Sequence, residues 1–267
     1  MSDTRYEQGL AQLCLVEGTT QPGIIQAMAA MAPDLARLTI AFAYGDVYTR
    51  PGLTPRHRQL ATIGVLAALG NAQPQLKFHI MGAIRMGCSA SEVIEALIHM
   101  AVYAGFPAAL NGVFTAQAAF EALQLSPPEP SPPANPVMAT DTARYDAGWA
   151  ALSHIDGEAG FRVVDSLKAI APDLAHFVVA FAFGDIYTRP GLDLLSREIV
   201  TVAALAAMGT ATAQLKVHIH GLLNVGGTQE QLTETLIHTA VYAGFPAAIN
   251  GMLAAQDVLQ ARQAHAA

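Results

Sequence analysis

The hydrophobic and polar positions of this chain show no convincing strand-like alternation, and its local signals are helical. In the first half they predict helices near residues 3–16, 21–31, 34–49, 55–69, 73–87 and 91–104, with a terminal helix from residue 107. The second half repeats the same signals. The pattern therefore predicts an all-α protein made of two groups of about six helices.

The helix boundaries carry recognisable capping residues. Thr54 is a good N-cap and Pro55 suits the first position of the helix that follows, while Asp193 replaces that cap in the second half. Capping boxes open the next-to-last helix of each half, at Ser89–Glu92 and Thr228–Gln231. The string AGFPAA occurs in both halves and combines a helix-ending glycine with a helix-starting proline. It predicts a helix–turn–helix corner.

The two halves are copies of one another. A shift of 139 residues aligns them without a gap over most of their length. EALIHMAVYAGFPAALNG, which begins at Glu95, matches ETLIHTAVYAGFPAAING, which begins at Glu234. YGDVYTRPGL from Tyr44 matches FGDIYTRPGL from Phe183. A period this long indicates a duplicated domain rather than a solenoid repeat.

A proline-rich segment, SPPEPSPPANP from Ser126 to Pro136, separates the copies. Such a sequence favours an extended conformation and can span roughly 30 Å. We therefore predict a first domain at 1–125, a linker at 126–136 and a second domain at 137–267. Because one small helical copy would leave much of its apolar surface in water, we expect the two copies to dock about a pseudo-twofold axis.

Composition narrows the functional classes. Hydrophobic residues make up 52% of the chain and charged residues only 13%, yet no apolar run approaches the roughly 18 residues of a membrane span. The surplus apolar surface favours burial between subunits, and hence a homo-oligomer. The absence of a secretory signal and the presence of only two cysteines, Cys14 and Cys88, favour a cytoplasmic protein without disulfides. A net charge of −7 without any Lys or Arg cluster argues against nucleic acid as a partner, and no membrane partner is expected.

His79 and His218 are the first candidates for chemistry. Each lies in the middle of a predicted helix, and a glycine follows at Gly82 or Gly221, where another backbone could approach. A histidine can transfer protons near neutral pH, a role that contributes about 10²- to 10⁴-fold in rate. The alternative is a core imidazole that bonds a backbone carbonyl.

The repeated GDxYTRPGL segment is the second candidate. Asp46, Tyr48 and Arg50 lie where a helix ends. Arg50 could form an i,i+4 ion pair with Asp46 that fixes the corner, or it could bind a substrate carboxylate with both of its nitrogens. The equivalent residues of the second copy are Asp185, Tyr187 and Arg189.

Arg58 and Arg197 lie in the first turn of the next helix, where a cation is unfavourable and requires a counter-anion. The second copy offers Glu198 next to Arg197, whereas the first copy has Gln59 at the equivalent position. This position therefore distinguishes the two copies.

The fourth repeated feature pairs a histidine with a tyrosine on one helix face, as His99 with Tyr103 and as His238 with Tyr242. A polar pair buried at a helix or subunit interface is the favoured interpretation. His218-x-His220 is only a weak start for a metal site, and no CxxC, phosphate-binding loop or dinucleotide fingerprint occurs. Neither a metal nor an organic cofactor is expected.

The order of these motifs resembles the carboxymuconolactone decarboxylase family, within the alkylhydroperoxidase D-like superfamily. GDVYTRPGL, LAALG, LKFHI and GCSASEVIEALIHMAVYAGFPAALNG carry the resemblance, which covers most of each copy. The resemblance implies a compact all-helical fold that assembles into rings, often hexamers of single-copy subunits. Two copies in one chain would then form a trimer, a pseudo-hexamer of domains.

The peroxidase branch of the superfamily uses a CxxC pair with a glutamate and histidines. The cysteine positions are occupied here by Ala72 and Gln75, and in the second copy by Ala211 and Gln214. Glu198 and His218 match the glutamate and one histidine of that branch. An oxidoreductase without the CxxC centre remains an alternative, as does a non-catalytic oligomeric protein that binds a small molecule.

The decarboxylase branch converts 4-carboxymuconolactone to the β-ketoadipate enol-lactone in aromatic-acid breakdown, without a metal or organic cofactor. The resemblance thus implies a lyase for a small anionic lactone or carboxylic acid, with His79, His218 and Glu198 as catalytic residues. Where the copies differ, the second is favoured because it keeps Glu198. The residues assigned to substrate binding are Arg50, Arg58, Arg189, Arg197, Tyr48 and Tyr187.

Overall fold

Both copies fold into the same series of helices in the computed structural model, which describes residues 4–129 and 140–266. The first copy contains α1 Thr4–Glu17, α2 Gly23–Met28, α3 Pro33–Leu38, π1 Thr39–Val47, α4 Pro55–Leu69, α5 Gln73–Arg85, α6 Ala90–Tyr103 and α7 Phe106–Ala122. The second contains α8 Asp141–Ile155, α9 Glu158–Lys168, α10 Pro172–Phe177, π2 Val178–Tyr187, α11 Leu194–Met208, α12 Thr212–Asn224, α13 Gln229–Ala243 and α14 Phe245–Ala266. The described residues form no strand, which confirms the all-α prediction.

The predicted helix caps are present. Thr54 accepts a hydrogen bond from the backbone N–H of His57 at the start of α4, and Asp193 caps α11 in the same way. Both capping boxes form in full. Gly105 and Gly244 adopt φ of 86° and 85°, a region that glycine enters without steric cost, and the chain turns there into the next helix. The AGFPAA corner is therefore confirmed.

The helix predicted at 34–49 is divided into two segments. Residues 33–38 are α-helical, and the π-helix π1 continues to Val47 with wider turns, such as the bond from Tyr48 N to Ala43 O of 2.9 Å. Helix α1 lies directly on these turns: a Cβ at Gly9 would stand 2.0 Å from Ile40 O, and one at Gly45 would stand 2.3 Å from Arg5 O. The apolar pattern alone does not distinguish the two helical forms.

The copies dock through their central helices. Residues 58–67 of α4 and 196–207 of α11 are buried on all sides, as expected for helices enclosed in a core. The two helices pack directly on each other, with Gly64 facing Val200 so closely that a Cβ would lie 2.8 Å from Val200 Cγ1. Helix α6 of the first copy also packs on α11, and α13 of the second packs on α4. This reciprocal contact is the predicted pseudo-twofold arrangement.

Only the first residues of the predicted linker are among those that the structure describes. Residues 126–129 have no regular structure, and the rest of the predicted linker, 130–136, lies outside the described residues. Within the described part of the chain, no helix combines the length and the hydropathy required to cross a bilayer.

We expect Gly9→Ala to lower the free energy of unfolding by about 1–3 kcal/mol, because the added methyl group would overlap the backbone of π1. Urea denaturation followed by circular dichroism measures the change. Gln8→Ala, at the exposed neighbouring position, is the control and should stay within about 0.5 kcal/mol. Equal stabilities for the two variants would show that α1 does not pack as closely as described.

Candidate active site

Two related sites lie between the copies, and each is built from helices of both. The first contains His79 on α5, Gln59 on α4 and Tyr242 on α13 of the other copy. The second contains His218 on α12, Glu198 on α11 and, in ring contact with His218, Tyr103 of α6. The exchange of α6 and α13 thus brings each tyrosine to the opposite histidine.

His79 is buried and held by side chains on both ring nitrogens. Its Nδ1 lies 3.0 Å from Gln59 Oε1, and its Nε2 lies 3.2 Å from the hydroxyl of Tyr242. Because the amide oxygen can only accept, we assign the proton to Nδ1, which leaves Nε2 to accept from Tyr242. Burial lowers the pKa of His79 to about 3, so the free imidazole is neutral at pH 7. The alternative of a core imidazole bonded to a backbone carbonyl is therefore wrong.

A chain of hydroxyl groups continues from His79 into the protein. The hydroxyls of Tyr242 and Tyr48 are 2.5 Å apart, and Tyr48 is 3.3 Å from Thr62 Oγ1. Thr62 in turn lies 2.8 Å from His238 Nε2. Burial raises the pKa of Tyr48 to about 12, so its phenol keeps its proton at neutral pH. The tyrosine at the histidine is thus supported by a second, protonated tyrosine.

A cavity of about 500 Å³ opens beside His79. Its wall combines apolar groups such as Phe78 with the hydroxyl-bearing rings of Tyr44 and Tyr242 and with the carboxyl group of Glu17, which accepts a hydrogen bond from Gly23 N. No Lys or Arg is among the described residues that line it. The volume suits one small ring-shaped molecule.

The second site replaces these neutral partners with charged ones. His218 Nδ1 lies 3.1 Å from Glu198 Oε2 and 3.8 Å from Asp156 Oδ1, and all three residues are buried. Glu198 Oε1 accepts a hydrogen bond of 2.5 Å from Tyr187, whose hydroxyl is 2.6 Å from that of Tyr103. Asp156 follows α8, and its equivalent in the first copy is Glu17.

The two histidines consequently have opposite protonation states. Burial alone would lower the pKa of His218, but the negative charges of Glu198 and Asp156 raise it to about 9. Burial raises the pKa of Asp156 to about 7. The positive charge of His218 opposes this rise, and the negative charge of Glu198 adds to it. Replacing the amide of Gln59 by the carboxylate of Glu198 therefore changes the charge of the imidazole.

The glycines that follow the histidines contact side chains. A Cβ at Gly82 would lie 2.7 Å from Val16 Cγ1, and one at Gly221 would lie 2.8 Å from Glu198 Oε2 and 2.9 Å from Asp156 Oδ1. The expectation that another backbone approaches these positions is therefore wrong. The glycines make room for side chains that enter the sites.

The arginines predicted to hold a substrate carboxylate bind a protein carboxylate. Arg50 Nη2 is 2.7 Å from Glu234 Oε1, and the fully buried Arg58 is 3.0 Å from Glu234 Oε2. Asp46 instead pairs with Arg5, with 2.7 Å between Nε and Oδ1. The proposed Asp46–Arg50 ion pair is therefore wrong. Neither Arg50 nor Arg58 is among the described residues that line the cavity beside His79.

The second copy repeats this arrangement. Arg189 and Arg197 lie 2.7 and 3.1 Å from the carboxylate oxygens of the buried Glu95. The counter-anion that the first-turn arginine requires thus comes from the other copy and not from Glu198 next door. Burial by itself would raise the pKa values of Glu95 and Glu234. Hydrogen bonds from Arg189 and Arg197 nevertheless lower the pKa of Glu95, and those from Arg50 and Arg58 lower the pKa of Glu234.

Sequence reasoning missed the residues that complete the sites. The sequence alone favours a buried structural role for Tyr103 and Tyr242, and it presents Glu95 and Glu234 only as the first residues of a repeated string. The near identity of that string in the two copies is the signal that could have identified these four residues. Tyr48 and Tyr187, predicted to bind substrate, bond the hydroxyls of the site tyrosines and are not among the described residues that line the cavity beside His79.

Cys88 has the properties of an inert thiol. It is buried and donates a weak hydrogen bond to Arg56 O at 3.7 Å. Burial raises its pKa to about 12, whereas reactive thiols have lowered pKa values. Its surroundings give no support to a thiol-based peroxidase.

Comparisons with known proteins agree with this architecture. The model of the carboxymuconolactone decarboxylase family matches residues 33–118 and again 172–257. The chain is 33% identical over 121 residues to 4-carboxymuconolactone decarboxylase of Acinetobacter baylyi, covering 45% of this chain and 90% of that protein. It is 32% identical over 82 residues to nitrosuccinic acid decarboxylase npaB of Metarhizium robertsii, covering 31% of this chain and 57% of that protein.

One solved structure shares the whole fold. A protein from Burkholderia xenovorans LB400, described as a gamma-carboxymuconolactone decarboxylase subunit, matches 98% of both chains with a TM-score of 0.57. At 21% identity this likeness supports the fold alone.

We expect Glu234→Gln to lower the free energy of unfolding at pH 7 by about 3–5 kcal/mol, because it leaves the buried Arg58 without its anion. The pKa of Glu234 is lowered in the folded protein. Its contribution is therefore full above the usual glutamate pKa of about 4.3 and is lost as the pH falls through the folded-state value.

Urea denaturation from pH 7 to pH 2 should show the difference between wild type and Glu234→Gln shrinking on the acid side. Asp257→Asn, at an exposed pair with Lys216, is the control and should change stability by less than about 1 kcal/mol. A difference that is independent of pH would contradict the assignment.

Proposed function

The chain belongs to the carboxymuconolactone decarboxylase family, and on that premise we propose that it removes CO₂ from a small anionic lactone or carboxylic acid without a cofactor. The observation that carries the proposal is the cavity beside His79, where an imidazole and two tyrosines face a largely apolar space. The two named relatives are both decarboxylases, which supports the reaction class.

The cavity suits the charge movement of decarboxylation. As CO₂ leaves, the electron pair of the broken C–C bond passes into the conjugated carbonyl of the substrate, and negative charge collects on the carbonyl oxygen. An apolar wall disfavours the localised charge of the starting carboxylate more than the dispersed charge of the enolate. Once His79 Nε2 is protonated and no longer accepts from Tyr242, the hydroxyl of Tyr242, supported by Tyr48, is the donor that we assign to the developing oxyanion.

His79 is assigned the transfer of the proton that replaces CO₂. The free imidazole is neutral, but an anionic substrate in the desolvated cavity would raise the pKa of His79 and draw a proton onto the ring. The imidazolium then balances the negative charge of the substrate, because no arginine is among the described residues of the cavity wall. After CO₂ leaves, the ring returns this proton to carbon and the net change is one proton consumed per CO₂ released.

We place this reaction at the first site, although the sequence alone favours the second site because it keeps Glu198. The imidazolium of His218 offsets only part of the negative charge of Glu198 and Asp156, and one uncompensated carboxylate 4 Å from an anionic substrate would repel it by about 4 kcal/mol at an effective dielectric constant of 20. In the first site the equivalent of Glu198 is the neutral Gln59, and the one carboxyl group among the described residues of the cavity wall, that of Glu17, accepts a hydrogen bond from Gly23 N. In this proposal His218 and Glu198 have another role.

In this scheme the arginines position the helix that carries Tyr242. Arg50 and Arg58 hold Glu234 near the start of α13, and Tyr242 lies two turns later on the same helix. The ion pairs therefore fix the helix that delivers Tyr242 to the cavity. We assign them to the geometry of the site rather than to contact with the substrate.

We further propose that three chains assemble into a ring of six domains. Each copy exposes an apolar stripe along its last helix, formed by Phe106, Leu110 and Phe114 on α7 and by Phe245, Ile249 and Leu253 on α14. Each of these side chains is at least 54% exposed in the single chain. Equivalent stripes on the two copies offer surfaces for contact between chains.

We expect the purified chain to release CO₂ from 4-carboxymuconolactone or nitrosuccinic acid, the substrates named in its relatives. His79→Gln should lower kcat by about 10²- to 10⁴-fold through loss of proton transfer. Tyr242→Phe should lower it by about 10²- to 10³-fold through loss of the oxyanion donor. Coupled CO₂ detection measures both rates.

His154→Gln, an exposed histidine on α8, is the control for these variants and should keep the wild-type rate. Full turnover in both His79→Gln and Tyr242→Phe would remove the first site from the mechanism.

We expect light scattering after size exclusion to give three times the chain mass of 28.0 kDa. The double variant Phe106→Ser, Phe245→Ser should shift the protein towards the mass of one chain, because it places polar groups in both stripes. Asp165→Ser, which changes an exposed residue elsewhere, should leave the mass unchanged. A wild-type protein with the mass of one chain would refute the ring.

A further inference from the structure

Three buried donors meet in the second copy without a role in the proposed reaction. Asp156 follows α8, Glu198 is on α11 and His218 is on α12. One donor atom of each residue lies within 4.8 Å of the other two. All three residues are at most 6% exposed.

The distances fit a metal centre. Zinc is held by imidazole and carboxylate donors at about 2.0–2.2 Å, which in a tetrahedron separates neighbouring donor atoms by about 3.4 Å. His218 Nδ1 is 3.1 Å from Glu198 Oε2 and 3.8 Å from Asp156 Oδ1, values on either side of that separation. Small movements of the side chains, with release of the Nδ1 proton of His218 to solvent, would bring the three atoms around one ion.

The negative charge of the cluster also favours the binding of a cation. Two carboxylates are buried side by side, and the imidazole of His218 is the only group in the cluster that can carry positive charge. Asp156 Oδ1 has no hydrogen-bond partner within the described part of the chain, although it is shielded from solvent. Buried carboxylate oxygens are normally paired or bound to a metal.

The surroundings leave room for the ion and orient its ligands. A side chain at position 221 would fill the space, because a Cβ on Gly221 would touch both Glu198 Oε2 and Asp156 Oδ1. Tyr187 donates to Glu198 Oε1 at 2.5 Å, which directs the other oxygen, Oε2, towards His218. Such outer hydrogen bonds are typical of metal ligands.

A route from solvent reaches the cluster. A surface hollow of about 650 Å³ has Asp156 in its wall, together with Arg162, His220 and Arg262. An ion could enter by this hollow.

We propose that Asp156, Glu198 and His218 bind one divalent transition-metal ion of the zinc type in each chain. The single imidazole and the small number of donors favour such an ion over Ca²⁺, which takes six to eight oxygen ligands. The first copy lacks the site because Gln59 replaces the central carboxylate. The proposal does not rest on the decarboxylase activity.

The test uses the untagged full chain, freed of metal by dialysis against a chelator and titrated with ZnCl₂ alone in a calorimeter. We expect one ion per chain, and Co²⁺ in place of Zn²⁺ should give the visible absorption of a tetrahedral site. Glu198→Gln and Asp156→Asn should each abolish this binding. Glu198→Gln reproduces the amide that the first copy already accommodates, so its fold should persist, as circular dichroism will check.

Tyr187→Phe keeps all three ligands and should weaken binding by about 10- to 100-fold. Asp141→Asn is the matched control, because it removes the carboxylate of an exposed pair with His176 and should leave binding unchanged. Absence of Zn²⁺ binding, or binding of the same strength in Glu198→Gln and Asp156→Asn, would overturn the proposal and leave a hydrogen-bonded cluster.

Discussion

The carboxylate of Glu234 between Arg50 and Arg58, together with its counterpart Glu95 in the second copy, is the contact on which the rest of the structure depends. A buried guanidinium without an anion is strongly destabilising, so neither copy is complete alone. Each copy supplies the glutamate that the other requires. The helix that carries this glutamate also carries the site tyrosine, and the same contact that joins the copies therefore assembles both sites.

One position then separates the two sites chemically. Gln59 leaves His79 neutral, with a pKa of about 3, whereas Glu198 and Asp156 raise the pKa of His218 to about 9. The order of the helices and the positions of the site tyrosines are the same in both copies. An apolar cavity accompanies the neutral imidazole, and a cluster of anionic donors accompanies the charged one. A fold of this kind therefore accommodates different chemistry through a change from amide to acid.

Much of the fold could be predicted from the sequence, because caps, corners and the duplication depend on local residue types such as Thr54 and Asp193. The π-helix could not, since its wider turns keep the same apolar pattern. The site was predicted only in part. His79, His218 and Glu198 follow from motifs, but the glutamate that pairs with Arg58 and the tyrosine that bonds His79 come from the other copy. Asp156 gave no signal, because its neighbours in the cluster belong to other helices.

The reciprocal pairing takes place within one polypeptide, and this has an evolutionary consequence. In an assembly of identical single-copy subunits, every substitution is inherited by all sites at once. Here the exchange of an amide for an acid affects one site and spares its neighbour. Because fusion gives each site its own codons, the two sites can diverge independently, and a single gene can maintain two sites with different properties.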